Sequence, residues 1–357
     1  MKKFIVVLAV ALLSFSTFAE DEEEGLSVSG QLRAGMTAKA GNPEYSTVTW
    51  MDGGYFGGDS RLRVDIDYTK DFGGVTFRYE NSGLSGFNRL DDDIKWAMAF
   101  ADFYENQIVT EAGIIHDRFT TTGGWEDTGI DGGKGIRFVF KPNAAPGLTL
   151  AAQITDLYAD TYKAGDSKVV DGKRDADSIK FNADLFGASA KYEAEGFFAT
   201  TGFVCAGYFY ASFGLTSVEN LIAVAELFYN DTDRNQWFSD IDVSGIDKSL
   251  TTLVLWAEYT GIEKVLLGAY AYLYFCDGEQ AAILTPALSY DLSELITLSA
   301  EASIYYYSLE GLDGYATLTP GITFNASDKA SATVSATLST DTDSQAHSLT
   351  AGVKYKF

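Results

Sequence analysis

The sequence of 357 residues is poor in cysteine, histidine, proline and positive charge. Two cysteines, Cys205 and Cys276, exclude a disulfide scaffold. Two histidines, His116 and His347, exclude a histidine-rich metal centre and leave acid/base chemistry mostly to carboxylates. The 26 Lys+Arg are outnumbered by 50 Asp+Glu, and the resulting charge of −24 repels a phosphate backbone, so nucleic acid is excluded as a partner. Past residue 19 no run approaches the roughly 20 consecutive apolar residues of a membrane-spanning helix. What is plentiful is apolar and aromatic: 46% of residues are hydrophobic, 14% are aromatic and 35 are glycine, which excludes a disordered acidic chain. Such a chain is either soluble or crosses a membrane as a closed β-barrel, the other backbone-satisfying route.

Residues 1–19 combine Lys2-Lys3, an apolar run from Phe4 to Leu13 and small or neutral residues up to Ala19. This is the anatomy of a secretory signal peptide, and cleavage is expected near Ala19-Glu20, ahead of an acidic cluster. No cysteine near the cut offers a lipid anchor. Residues 20–357 are expected to form one domain, since no linker, domain boundary or repeat beyond a hairpin period is visible.

Hydrophobicity along that domain has period 2 almost throughout. In Leu349-Thr350-Ala351-Gly352-Val353-Lys354-Tyr355-Lys356-Phe357 every odd position is apolar and every even one polar or glycine. The same alternation runs through residues 62–68, 75–80, 179–185, 316–324 and 330–336. Turn-like links fall at 71–74, 105–106, 142–147, 186–187, 217–220, 261–264, 291–294 and 326–329. Longer, Asp/Gly-rich links at 40–59, 82–93, 117–133, 159–176 and 231–248, and shorter ones at 195–197, 276–280, 308–314 and 341–346, alternate with them. Short links alternating with long ones are the topology of a transmembrane antiparallel β-barrel. The count is about 18 strands, or 16 if 188–194, which is short, and 198–215, which lacks a clean phase, collapse. A soluble sandwich would carry a mostly polar outer face, whereas large apolar residues occupy one face of each run here and aromatic residues gather near the run ends, as in membrane-interface girdles.

The signal peptide, the aromatic carboxy-terminal strand with Tyr355 and Phe357, and hairpin-like stretches such as residues 183–192 resemble Gram-negative outer-membrane porins of the general-diffusion type. The resemblance covers residues 20–357 as architecture. It implies residence in the outer membrane of a diderm bacterium, in contact with its lipid, and a terminal strand (Tyr355, Phe357) read by the barrel-assembly machinery. It also implies a water-filled channel for passive diffusion of small hydrophilic solutes or ions, and a possible homotrimer. No cofactor and no enzymatic activity are expected.

The apolar register sets Arg33, Arg61, Arg63, Arg78, Lys95 and Arg137 on the inner face of the early strands. The same face carries the acids Asp65, Asp67, Glu80, Glu111, Asp184, Glu193, Glu226, Glu258 and Glu301. Rings of fixed charge at a narrow point select ions. In similar porins an acidic third external loop folds inward against a basic wall, and residues 117–133 occupy that position without the family's Pro-Glu-Phe-type tip. The expectation is that Glu126, Asp127 and Asp131 approach Arg33, Arg61, Arg63 and Arg78 at a constriction. The competing reading has these arginines as salt-bridged struts with the loop outside. The excess of acids predicts weak cation preference.

Trp256, Tyr270, Tyr272, Tyr274 and Tyr305 form a second candidate surface: either a stacking path, as in sugar-specific porins, or packing and lipid-facing rings. Asp240, Asp242 and Asp247 open like a calcium loop, yet Thr251 stands where the bidentate Glu is required, so the metal match is weak. Asp91-Asp92-Asp93, Asp231 and Asp233 read as solvated loop charges or a surface site for divalent cations. His116-Asp117 and His347 lack a nucleophile elbow, and adjacent strand residues face opposite ways. Cys205 and Cys276, three strands apart in this order and so about 14 Å from each other, are expected to be unpaired. The alternative of another class is a structural or adhesive barrel whose acidic loops bind surface ligands.

Overall fold

The computed structural model describes residues 25–39, 61–70, 72–81, 92–122, 129–130, 133–155, 186–205, 207–230, 250–276, 278–308, 313–341 and 347–357. The sequence-based readings at 1–19, Asp91, Glu126, Asp127, Asp131, 179–185 with Asp184, Asp231, Asp233, Asp240, Asp242 and Asp247 lie outside these residues. The strands are β1 (Gly25–Lys39), β2 (Arg61–Lys70), β3 (Gly73–Asn81), β4 (Asp92–Phe103), β5 (Ile108–Ile114), β6 (Lys134–Phe140), β7 (Leu148–Thr155), β8 (Phe186–Ala194) and β9 (Phe197–Val204). They continue as β10 (Tyr208–Leu215), β11 (Leu221–Asn230), β12 (Leu250–Ile262), β13 (Val265–Cys276), β14 (Glu279–Ser293), β15 (Ile296–Tyr307), β16 (Tyr315–Ser327), β17 (Ala330–Ser339) and β18 (Ser348–Lys356). Each is antiparallel to its chain neighbour, and β1 pairs with both β2 and β18, so the 18-stranded sheet closes on itself and has no free edge. Among the described residues no helix is long and apolar enough to cross a membrane.

Closure costs two chain ends their freedom, and one aromatic residue secures the seam. Gly30 and Phe357 exchange backbone hydrogen bonds of 3.0 and 3.1 Å across it. A Cβ added at Gly30 would lie 2.3 Å from the Arg63 carbonyl oxygen and 2.6 Å from the Phe357 ring. Gly30→Val is therefore expected to cost about 1–3 kcal/mol by overpacking. Thermal unfolding in detergent should register that loss, while Ser29→Val one residue away should leave the midpoint nearly unchanged.

The period-2 pattern becomes an apolar exterior. Ile136, Phe138 and Phe140 on β6, Leu318, Ile322 and Phe324 on β16, and Leu349, Val353 and Tyr355 on β18 are all exposed. Exposed aromatic residues gather at both rims: Tyr68, Tyr104, Tyr192, Tyr259 and Tyr290 at the short-turn end, and Phe186, Phe203, Phe209, Phe275 and Tyr306 at the other. On β13 the two levels, Leu267 opposite Tyr259 and Phe275, are eight residues apart. At the tilt usual for such strands this is a band about 20 Å tall.

Two details of the expected strand plan are corrected. Residues 186–187 do not form a turn: Gly187 pairs with Gln153 and Val204 inside the continuous strand β8. The stretch 198–215 is two strands, β9 and β10, joined by a tight link at 205–207. The link near 195–196 consequently belongs to the short-turn rim. β7 pairs directly with β8. Cys205 and Cys276 form no disulfide and stand four strands apart rather than three, one just past β9 and the other closing β13.

Candidate functional site

The link between β5 and β6 turns into the barrel. Its neck is closed by the Ile115 amide donating to the Gly133 carbonyl at 3.0 Å. Asp117, buried, ties the outgoing and returning legs together. Its carboxylate accepts from the backbone amides of Phe119 (3.1 Å), Thr120 (2.9 Å) and Ile130 (3.1 Å), and from the Thr120 hydroxyl. A carboxylate that collects several N–H donors is a local turn former, because it offers the backbone an alternative to a strand ladder.

From there the segment crosses the inner wall. Phe119 packs on the cluster of Val109, Val139 and Ala151, with the Lys141 ammonium 3.9 Å from its ring centroid. Burial lowers the pKa of that ammonium below the ordinary lysine value, against the opposing pull of Asp102. Thr120 hydrogen-bonds Ser189 of β8 at 2.9 Å, Ile130 packs with Tyr210 of β10 and Val204, and Thr122 donates to the buried Glu226 of β11 at 3.1 Å. The described part of the link thus reaches six strands from its origin at β5 to β11, and the lumen is narrowed on that side.

Arg137 is the support beneath it. Only 1% of its surface is exposed. Its Nε donates to Gln153 (2.8 Å), Nη1 to the His116 carbonyl (2.9 Å) and Nη2 to the Ile130 carbonyl. Asp117 and Glu111 lie 3.5 and 3.6 Å from Nη1, and Arg118 pairs with the other oxygen of Glu111 at 3.0 Å. The planar fork of arginine suits this role, since one side chain satisfies two backbone carbonyls and neutralises two acids.

Two of the remaining inner cations on the early strands are matched in the same way. Arg63 pairs with its register partner Glu80 at 2.8 Å, and Arg78 with Asp65. The Arg78 guanidinium lies 3.8 Å from the Trp96 ring centroid, and Trp96 stacks on His116 at 4.0 Å, joining the loop neck to β3 and β4. Arg61 stands opposite Arg33, which stands opposite Lys354. Lys95 falls at a bulge, where Arg78 pairs with Trp96 and Tyr79 with Ile94. Asp67 faces Thr76 across β2 and β3, and Glu193 pairs with Lys191 at 3.1 Å near the short-turn rim.

A different surface lines the other half. Trp256, Tyr270, Tyr272, Tyr274 and Tyr305 share the inner face, because their register partners alternate with the exposed Leu255, Leu267, Phe275, Leu284 and Ile304. Tyr270 and Tyr272 are 5.6 Å apart, Tyr272 and Tyr274 5.9 Å, and Tyr305 stacks on Tyr315 at 4.2 Å. The register row Glu226, Val254, Tyr272, Ile283, Tyr305, Tyr315 connects the loop's anchor to these rings.

Sequence patterning weighed Asp117 only beside His116, and did not single out Arg118, Thr122, Gln153, Ser189, Tyr210 or Lys354. Asp117-Arg118-Phe119-Thr120 carried a local signal, an Asp followed three residues later by Thr in a glycine-rich link. The others depend on which strands the loop meets. Among the described residues no cluster of metal-ligating side chains occurs. His116 is stacked on Trp96 and the Asp117 carboxylate is engaged by the loop, while His347 Nδ1 accepts from the Ser339 amide at 3.1 Å.

No protein-family model and no curated protein sequence matches the chain. Its fold is similar to that of an anion-selective porin from Comamonas acidovorans, at 11% identity and TM-score 0.53, over 94% of this chain and 100% of that one. It is also similar to the outer membrane channel DcaP of Acinetobacter baumannii, at 9% identity and TM-score 0.52, over 94% of this chain and 99% of that one. At these identities the likeness establishes the porin-like barrel fold.

Proposed function

We propose that this chain is an outer-membrane channel through which small hydrophilic solutes and ions diffuse, with a weak preference for cations. The observation that carries the reading is the segment 115–122, which crosses the inside of a closed, externally apolar barrel to reach Ser189 and Glu226. A barrel that served only as a scaffold would have no need of a buried ion-pair network to hold a segment across its lumen. The short-turn rim, where both ends of the described chain lie, is the periplasmic side, and Tyr355 and Phe357 present the assembly signal there.

In this reading the negative charge of the 117–133 link comes from Glu126, Asp127 and Asp131, acting against Arg33, Arg61, Arg63 and Arg78 of the early strands. Reconstitution in a planar bilayer under a KCl gradient tests the whole reading. Stable current steps with a cation-biased reversal potential are expected, and Asp131→Ala is expected to move that potential toward zero. Absence of steps would replace the channel with a structural or adhesive barrel; steps whose selectivity ignores Asp131 and Arg61 substitutions would remove only the constriction assignment.

A further inference from the structure

Charge is divided unevenly around the barrel. All lysines and arginines of the described strands lie on β1 to β8 and β18, and strands β9 to β17 contain none. On that cation-free half, Glu226, Glu258 and Glu301 share the inner face with Trp256, Tyr270, Tyr272, Tyr274, Tyr305 and Tyr315. Glu258 and Glu301 stand in one register row, separated by Gly268 and Ala287. Three strand spacings put their backbones about 14 Å apart. The floor between them carries a glycine and a methyl group, with Tyr270 one inner row above and Tyr305 two. The ion-paired arc from β2 to β6 is centred on β4, nine positions around the ring from β13, so it faces this wall across the lumen.

From this juxtaposition we infer that the β11–β16 wall is a binding track for organic cations, ammonium groups carrying an apolar or aromatic body. Electron-rich ring faces attract such a cation and cover its apolar surface, and the flanking carboxylates supply the counter-charge. The same carboxylates disfavour aromatic anions at this wall, and neutral solutes gain only the stacking. The inference goes beyond the channel reading in naming a solute class, and it rests on that reading for its role in passage, although the binding itself does not require a current.

The test uses the full chain in a nonionic detergent, with benzyltrimethylammonium as the probe and benzyl alcohol, benzenesulfonate and maltotriose as comparators, measured by calorimetry. Benzyltrimethylammonium should bind at least about fivefold more tightly than each comparator, the scale of one cation–π contact. Glu258→Gln and Glu301→Gln, which keep the side-chain shape, should each weaken it about fivefold. Tyr270→Leu should weaken the cation and benzyl alcohol alike. Equal binding of the sulfonate, tighter binding of maltotriose or indifference to both glutamine variants would overturn the inference. Binding without current steps would sink the channel and keep the track; current steps without binding would keep the channel and sink the track.

Discussion

Replacing Arg137 by alanine is expected to destabilise the barrel by about 3–5 kcal/mol, because it strands two buried acids at once. Glu111 and Asp117 lie 3.6 and 3.5 Å from its guanidinium and have almost no solvent to take over the charge. The carbonyls of His116 and Ile130 would lose their donors as well, each a further desolvation cost. Arg118 retains one oxygen of Glu111, so the larger share of the damage falls on Asp117 and on the loop legs it joins. Arg137→Lys keeps the charge but cannot reach both carbonyls and Gln153, and it should recover less than half of the loss. Urea refolding titrations in micelles measure the difference, and limited proteolysis of residues 115–133 reports whether the segment has left the lumen. A loss under about 1 kcal/mol with unchanged cleavage would mean that the network does not hold the loop.

The architecture was readable wherever two faces of a strand meet different solvents. β18 and β16 alternate strictly because one side of each is exposed to an apolar surrounding and the other lines the lumen. The pattern weakened where both faces favour large rings. Tyr208 and Tyr210 point inward to Ile130 while Phe203, Phe209 and Phe213 face out, so β9 and β10 showed no phase and their junction was missed. Gly187 misled for the opposite reason: a glycine beside an aromatic residue has the composition of a turn, yet here it holds an ordinary ladder position between Gln153 and Val204. Opposite-sign pairs such as Arg63 with Glu80 were implicit in the register, since facing positions follow once the hairpin is known. The anchoring of the loop was not, because Ser189 and Glu226 are 69 and 104 residues from Thr120 and Thr122 and no local pattern links them. For the same reason the inner arginines could be assigned to a face from sequence, whereas their division between struts and solvated charge required the folded wall.

The pair Val334 and Ser335 isolates the claim that lipid surrounds this wall. They are consecutive on β17, so they share strand, height and hydrogen-bonding environment but face opposite ways. Val334, 46% exposed, lies between Ile322 and Ala351 on the outer face. Ser335 lies between Gly321 and Thr350 on the inner one, where the missing side chain at Gly321 leaves room. An arginine at position 334 must enter hydrocarbon near the middle of the apolar band or drag water to itself, and the expected cost is about 2–4 kcal/mol. The same arginine at position 335 enters the aqueous lumen and should cost less than about 1 kcal/mol while shifting ion selectivity toward anions. Folding titrations into lipid vesicles, in place of detergent, give both numbers on one scale. If the two substitutions proved equally costly, or Ser335→Arg the costlier, the outer face would not be a lipid face and the barrel would need a different surrounding. The contrast is informative because burial, strand propensity and position along the chain cancel between neighbours, leaving the solvent on each side of the sheet as the remaining variable.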